Sequence, residues 1–209
     1  MKSNQIQEKL IVFTRYPKPG TTKTRLAKAL GDFEAAAIHK KLTELTILQV
    51  TKLMKLYPVS VSIYFDGGTL EKIQKWLGPD YSYRDQGGGD LGQRMANAFA
   101  EAFKRKYKRI VIIGTDCPYL KAGHMKQAFD SLRQKDLALG PATDGGYYLI
   151  GLSRNEKSLF KNISWGTDAV LAETLNIAAE RGLSLDLLDT LSDVDRPEDL
   201  KHINNHSDL

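Results

Sequence analysis

The stretch Ile110-Val111-Ile112-Ile113-Gly114-Thr115-Asp116-Cys117-Pro118 joins an apolar run to an abrupt acidic stop. Four consecutive aliphatic residues read as a strand buried on both faces. Gly114 ends the run, and Pro118 prevents the chain from continuing as sheet. Asp116 therefore falls just past the carboxyl end of a central strand. In open α/β sheets that edge is where ligands bind. A carboxylate there is placed to hold a divalent cation against phosphate oxygens. The plainer alternative makes Asp116 a cap for the next turn or helix.

Working outward, strands and helices alternate along the chain. Leu10 to Thr14 and Val59 to Phe65 read as strands, with a long helix from Phe33 to Leu56 between them. A short helix follows over Leu70 to Leu77, closed by Gly78-Pro79, then a weak strand over Tyr81 to Arg84. Leu91 to Lys106 places Met95, Ala98, Phe99, Ala102 and Phe103 on one helical face. Helices are expected over Gly123 to Gln134 and Thr167 to Arg181, the latter ended by Gly182. Strands are expected from Leu137, over Tyr147 to Leu152, and over Leu183 to Leu188. A last helix is expected over Pro197 to Ile203, with a frayed tail from Asn204 to Leu209. This order implies a three-layer α/β/α architecture around a mostly parallel sheet. Without a repeat or linker, residues 1–209 are expected to form one domain.

Composition narrows the functional classes. The chain has 209 residues, 42% hydrophobic and 26% charged, as in ordinary globular proteins. No stretch approaches the roughly 18 apolar residues needed to span a bilayer. The polar start, Met1 to Lys9, lacks the apolar core of a signal peptide, so a cytoplasmic location without membrane contact is expected. The single Cys117 fits a reducing compartment. The net charge of +5 is dispersed apart from Lys104-Arg105-Lys106 and Lys108-Arg109, which end a helix where cations suit its dipole. With no accompanying motif, a nucleic-acid partner is not expected, and an anionic small molecule fits the charge. A homo-oligomer stays open.

Four strand-end loops are rich in Gly and polar residues. Arg15-Tyr16-Pro17-Lys18-Pro19-Gly20-Thr21-Thr22-Lys23-Thr24-Arg25 carries four cations before a helix, an anion site suited to nucleotide phosphate. It is not a Walker A loop, because two threonines separate Gly20 from Lys23. A basic solvated turn is the plain alternative. Gln86-Gly87-Gly88-Gly89-Asp90-Leu91-Gly92-Gln93-Arg94 lets backbone approach a ligand, although Asp90 also suits an N-cap. Ala142-Thr143-Asp144-Gly145-Gly146 reads as a turn or as a ligand loop. In Ser192-Asp193-Val194-Asp195-Arg196-Pro197, Asp193 and Asp195 point the same way if extended, and with Asp116 they make an oxygen set for a hard cation. Asp195 equally suits the N-cap of the last helix. His39, His124, His202 and His206 show no ligand spacing and read as surface residues. Cys117 has no local His partner to activate it.

Together these stretches resemble the nucleotide-diphospho-sugar transferase superfamily, the GT-A-like glycosyltransferases and related nucleotidyltransferases. More closely, the chain is similar to the bacterial DUF2064 group. The matching segments are Phe13 to Gly20 with Lys23 to Leu26, Gln86-Gly87 with Gly89 to Met95, Gly114 to Pro118, Ala142 to Leu152, and Trp165-Gly166-Thr167. The resemblance implies a Rossmann-like, GT-A type of fold. It implies that Thr14, Arg15, Gly20, Lys23, Arg25, Gln86, Gly87, Asp90 and Arg94 hold a nucleotide or nucleotide-sugar. It also implies that Asp116 with Asp193 and Asp195 holds Mg²⁺ or Mn²⁺. Asp193 to Asp199 is similar to the terminal D-x-D-T-P-E-D of the nucleotidyltransferases, with Arg196 in place of Thr. The sequence departs from the glycosyltransferase D-x-D, since Cys117-Pro118 follows Asp116, and lacks the L-A-G-G start of many nucleotidyltransferases. The expected activity is glycosyl transfer from an NDP-sugar to a small-molecule acceptor, with Asp116, Asp144 and Lys23 in catalytic roles. Nucleotidyl transfer from an NTP, or a non-catalytic nucleotide-binding module, are the alternatives.

Overall fold

The computed structural model describes residues 6–202, with side chains through 200. The expected tail over 204–209 and the placements of the His202 and His206 side chains lie outside the described residues.

Seven strands form one sheet in the order β3-β2-β1-β4-β6-β5-β7. These are β1 (Glu8–Arg15), β2 (Val59–Asp66), β3 (Ser82–Asp85), β4 (Arg109–Ile113), β5 (Leu137–Pro141), β6 (Tyr147–Leu152) and β7 (Leu185–Leu187). All pairings are parallel except those of β6, which runs antiparallel between β4 and β5. The reason is local. Only Ala142 to Gly146 separate β5 from β6, too few residues for a parallel crossover, so the chain folds back as a hairpin. That hairpin brings the Thr143-Asp144-Gly145 turn to the carboxyl end of the neighbouring strand β4.

Helices cover both faces. Alternate residues of β1 divide between them: Leu10 and Val12 face one layer, Ile11 and Phe13 the other. Helices α2 (Asp32–Leu56), α3 (Leu70–Leu77) and α5 (Ala122–Ser131) supply Val50, Leu53, Ile73, Leu77, Met125 and Phe129 to the first core. Helices α4 (Leu91–Lys104) and α6 (Val170–Glu180) supply Met95, Phe99, Ala102 and Ala178 to the second. The expected three-layer architecture is thus present.

Some boundaries differ from the sequence reading. Thr24 and Arg25 belong to a short helix, α1 (Thr24–Leu30), at the end of the first loop. Only seven residues long, it carries too little periodicity to be visible in sequence. A 3₁₀ turn over Lys157–Phe160 was not expected, and the terminal helix is a 3₁₀ turn over Pro197–His202. A third small core, Leu26, Ala35, Leu42 and Val194, packs α1 and α2 against the C-terminal segment.

Candidate functional site

The carboxyl ends of β1 and β4, the β5–β6 turn and the C-terminal segment enclose one cavity of about 590 Å³. Of the predicted site residues, Thr14, Arg15, Lys23, Arg25, Gln86, Asp116, Asp144, Asp193 and Asp195 line it. Gly20, Gly87, Asp90 and Arg94 do not. One end of the cavity is ionic. The rest is walled by Phe13, Leu91, Met95, Tyr147, Trp165 and Val170.

The ionic end is built around Lys23. Its backbone is left-handed (φ 51°, ψ 49°), at the entrance to α1, and its side chain is only 4% exposed. The ammonium lies 2.7 Å from Asp116 Oδ1, donates to the Val194 carbonyl at 2.5 Å, and stands 3.9 Å from Asp195 Oδ1. Arg25 pairs with the other oxygen of Asp195 at 2.7 Å. The Asp116 backbone carbonyl accepts from Val194 N–H at 2.9 Å, so strand β4 and the C-terminal segment are joined by backbone as well as by charge. Desolvation in the cleft works to raise the Asp116 carboxyl, but the Lys23 ammonium, with help from His39, outweighs it and holds the group well below the usual carboxylate range.

Asp193 behaves oppositely. Burial, then the negative charge of nearby Asp144, push its carboxyl up to about 6, with Asp116 adding to the effect. Four carboxylates (Asp116, Asp144, Asp193, Asp195) therefore share a cleft in which Lys23 and Arg25 are the facing cations. Arg15 is occupied by Asp66 at 2.9 Å and by the Thr21 carbonyl at 3.0 Å. Among the described residues no three acidic, His or Cys side chains already stand as a metal cluster.

Asp195 does not cap the last turn with its side chain as one reading allowed. Instead Asp199 accepts from the backbone N–H groups of Asp195 and Arg196 at 2.9 and 2.7 Å, which leaves the Asp195 carboxylate to Arg25 and Lys23. Asp144 accepts from Gly146 N–H at 2.8 Å through one oxygen, shaping the turn on which it sits.

The second loop is held by its own side chains. The Gln86 amide donates to the carbonyls of Thr14 and Tyr64 at 2.9 and 3.0 Å. Arg94 donates to the Gly89 carbonyl, to Asp66 and to Gln86. Asp90 forms a reciprocal capping box with Gln93, the plainer of its two readings. Gly92 lets Trp165 lie against the start of α4, for an added Cβ there would come within 2.5 Å of the indole nitrogen.

His39 corrects the sequence reading. It is buried, its Nε2 lies 2.9 Å from the Arg15 carbonyl, and its Nδ1 lies 3.8 Å from Asp116. The signal was available: His39 falls three residues after Ala36 and three before Leu42, on the buried face of α2. Beneath it, the hydroxyls of Thr14, Thr43 and Thr115 form a buried triangle with sides of 3.2, 3.3 and 3.3 Å. Cys117 is buried and its thiol is pushed up to about 12 by that burial, which removes it as a nucleophile near neutral pH.

This sheet order, with a mixed-charge cleft at the strand ends, defines a Rossmann-like fold of the nucleotide-diphospho-sugar transferase type. Residues 49–167 match the model of DUF2064, described as an uncharacterized protein conserved in bacteria, and the chain belongs to that family. A crystal structure from Desulfovibrio desulfuricans G20, named "putative nucleotide-diphospho-sugar transferase", is 31% identical with a TM-score of 0.88, over 96% of this chain and 88% of that one. Two more distant structures share the fold. CMP:2-keto-3-deoxy-manno-octonic acid synthetase complexed with CTP is 11% identical, with a TM-score of 0.58 over 95% and 97% of the two chains. The Rv0371C complex with manganese from Mycobacterium tuberculosis is 14% identical, with a TM-score of 0.56 over 94% and 97%. No curated protein matches the chain. Among the described residues no helix is long and apolar enough to cross a membrane.

Proposed function

We propose that this chain is a metal-dependent transferase that uses a nucleotide-activated donor, and that it moves a glycosyl group from an NDP-sugar to a small-molecule acceptor. The observation that carries this reading is the convergence of Lys23 and Arg25 with four Asp carboxylates at one end of a cavity whose remainder is apolar and aromatic. A diphosphate is the group that asks for cations and carboxylate-bound metal side by side.

The donor chemistry fits a hard divalent cation, Mg²⁺ or Mn²⁺. The candidate ligands are carboxylate oxygens, and Asp116, Asp144, Asp193 and Asp195 outnumber the cations Lys23 and Arg25 that face them. Asp116 with Asp193 and Asp195 would hold it. When bound, the ion neutralises charge developing on the diphosphate leaving group. Lys23, Arg25 and Arg15 bind the phosphate oxygens. Thr14 and Gly20 shape the first wall of the nucleotide cradle. Gln86 lines the second, and Gly87, Asp90 and Arg94, which stand outside the cavity lining, shape the loop behind it, Arg94 by bonding Gly89, Asp66 and Gln86. Asp144 faces the acceptor and takes its hydroxyl proton if the two come within hydrogen-bond reach. Tyr147 and Trp165, edge to face with centroids 6.4 Å apart, offer a sugar ring an aromatic wall.

Nucleotidyl transfer from an NTP is the second reading. It is favoured by the way Asp193-Val194-Asp195 is held against Asp116, since the nucleotidyltransferases have a similar terminal acidic motif.

Calorimetric titration with a panel of NDP-sugars and NTPs, with and without Mn²⁺, tests both. Glycosyl transfer predicts metal-dependent preference for one NDP-sugar, and nucleotidyl transfer predicts preference for an NTP. Asp116→Asn should cost at least tenfold in metal-dependent affinity and abolish turnover. Retained turnover in that variant would sink the role given to Asp116, and metal-independent binding alone would leave a nucleotide-binding module.

A further inference from the structure

The Lys23 ammonium occupies the space between the carboxylates assigned above to the metal. It is enclosed (4% exposed), and it bonds Asp116 at 2.7 Å and the Val194 carbonyl at 2.5 Å while standing 3.9 Å from Asp195. An ammonium offers three N–H donors and no acceptor. A divalent cation approaching Asp116 and Asp195 meets a fixed positive charge already using the same oxygens.

We infer that Lys23 is an internal cation that locks the site closed to metal, and that anionic phosphate must draw the ammonium away before Asp116 and Asp195 are free to take a divalent ion. Three observations carry this. First, one side chain reaches both arms of the acidic set, the end of β4 and the C-terminal segment, so its departure frees both together. Second, Lys23 heads α1 at the phosphate loop, where a short swing of its four-carbon stem exchanges carboxylate for phosphate. Third, Arg25 pairs with Asp195 Oδ2 at 2.7 Å through one of its two amino groups while Lys23 faces Oδ1, so Oδ1 is released and the C-terminal segment stays anchored when Lys23 leaves. The consequence is thermodynamic coupling. Phosphate and metal each favour the swung-out lysine, so each tightens the other's binding by the same factor. Metal without phosphate binds poorly, which protects the acidic set from idle occupation.

The inference rests on the metal reading above, and the test separates the two. Mn²⁺ alone is titrated into the full chain and into Lys23→Met, by the loss of the free-ion electron paramagnetic resonance signal. The lock predicts at least tenfold tighter Mn²⁺ binding in Lys23→Met. It also predicts that inorganic pyrophosphate tightens Mn²⁺ at least tenfold in the unaltered chain, and by a smaller factor in the variant, counted as Mn²⁺ retained with the protein on ultrafiltration beyond the Mn²⁺–pyrophosphate that passes through. Equal or weaker Mn²⁺ binding by Lys23→Met, in a chain whose thermal melt shows it folded, overturns the lock while leaving the metal site standing. Mn²⁺ held by neither chain, with or without pyrophosphate, removes both readings.

Discussion

The hydroxyl triangle of Thr14, Thr43 and Thr115 makes a prediction that can be worked through in numbers. It ties β1 and α2 to the residue that precedes Asp116, and all three residues are buried. Thr43→Val keeps the shape and removes one hydroxyl, whose single hydrogen goes either to the His39 carbonyl at 3.0 Å or to Thr115 at 3.3 Å and whose oxygen can accept from Thr14 at 3.2 Å. The remaining hydroxyls keep one another at 3.3 Å. A buried polar group left short of partners costs about 1–3 kcal/mol. With one bond surviving, Thr43→Val should cost about 1–2 kcal/mol, a fall in Tm of roughly 2–8 °C for a chain of this length. The three single variants should together sum to about 3–6 kcal/mol. Replacing all three threonines removes every unpaired group at once, and same-shape apolar replacement of both partners is close to neutral. The triple variant should therefore cost about 2 kcal/mol or less, well under the sum. Urea unfolding followed by circular dichroism measures each value, provided the slopes with denaturant stay equal. A triple variant costing the full sum, or a Thr43→Val variant losing under about 0.5 kcal/mol, would refute the claim that these hydroxyls satisfy one another.

Two further outcomes are expected. Gly145 has φ +87°, and a Cβ there would fall 2.2 Å from the Asp168 carbonyl oxygen, so Gly145→Ala must move backbone. It should cost about 3 kcal/mol from overpacking and left-handed strain together, read as a drop in Tm; a loss under about 1 kcal/mol would contradict the geometry. Lys9 is buried in β1 beside Ser60 and Tyr107, and burial, with Arg105 and Arg84 adding to it, lowers its ammonium from 10.5 to about 8. The folded form therefore gives up this proton first. The penalty of burying the charge is fully present below pH 8 and is relieved as pH rises toward 10.5, so stability should climb by about 2 kcal/mol or less between pH 8 and 10. Lys9→Met should flatten that rise in pH-dependent urea unfolding, and an unchanged slope would show that Lys9 is not its source.

The parts of this fold that depend on local pattern were readable in the sequence. Apolar runs mark β1, β2 and β4, and Asp116, just past β4, marks the strand-end edge that borders the cavity. The Asp90 cap was visible because a capping box is written within four residues. What escaped needed partners far along the chain. In sequence Lys23 reads as a phosphate ligand, since nothing near it announces contact with Asp116, Val194 and Asp195. Gln86 and Arg94 suggested ligand contacts, yet their polar groups meet carbonyls and side chains of the surrounding loops. His39 lacks ligand spacing in sequence, but the helical face it shares with Leu42 already marks it as buried. The antiparallel course of β6 was also readable, because five intervening residues cannot make a crossover.

The C-terminal segment has a consequence for the order in which this protein is made. Six of the seven described strands and the first-loop cations Arg15, Lys18, Lys23 and Arg25 precede residue 185 in the chain. Leu191, Val194 and Asp195 come after them, and they bridge to Ala142, Asp116 and Lys23. A nascent chain whose residues beyond 189 are still inside the ribosome can assemble most of the sheet while Asp193 and Asp195, half of the acidic set, are missing. The cleft is then finished after the sheet, and a product cut before residue 191 keeps most of the scaffold without Asp193 and Asp195.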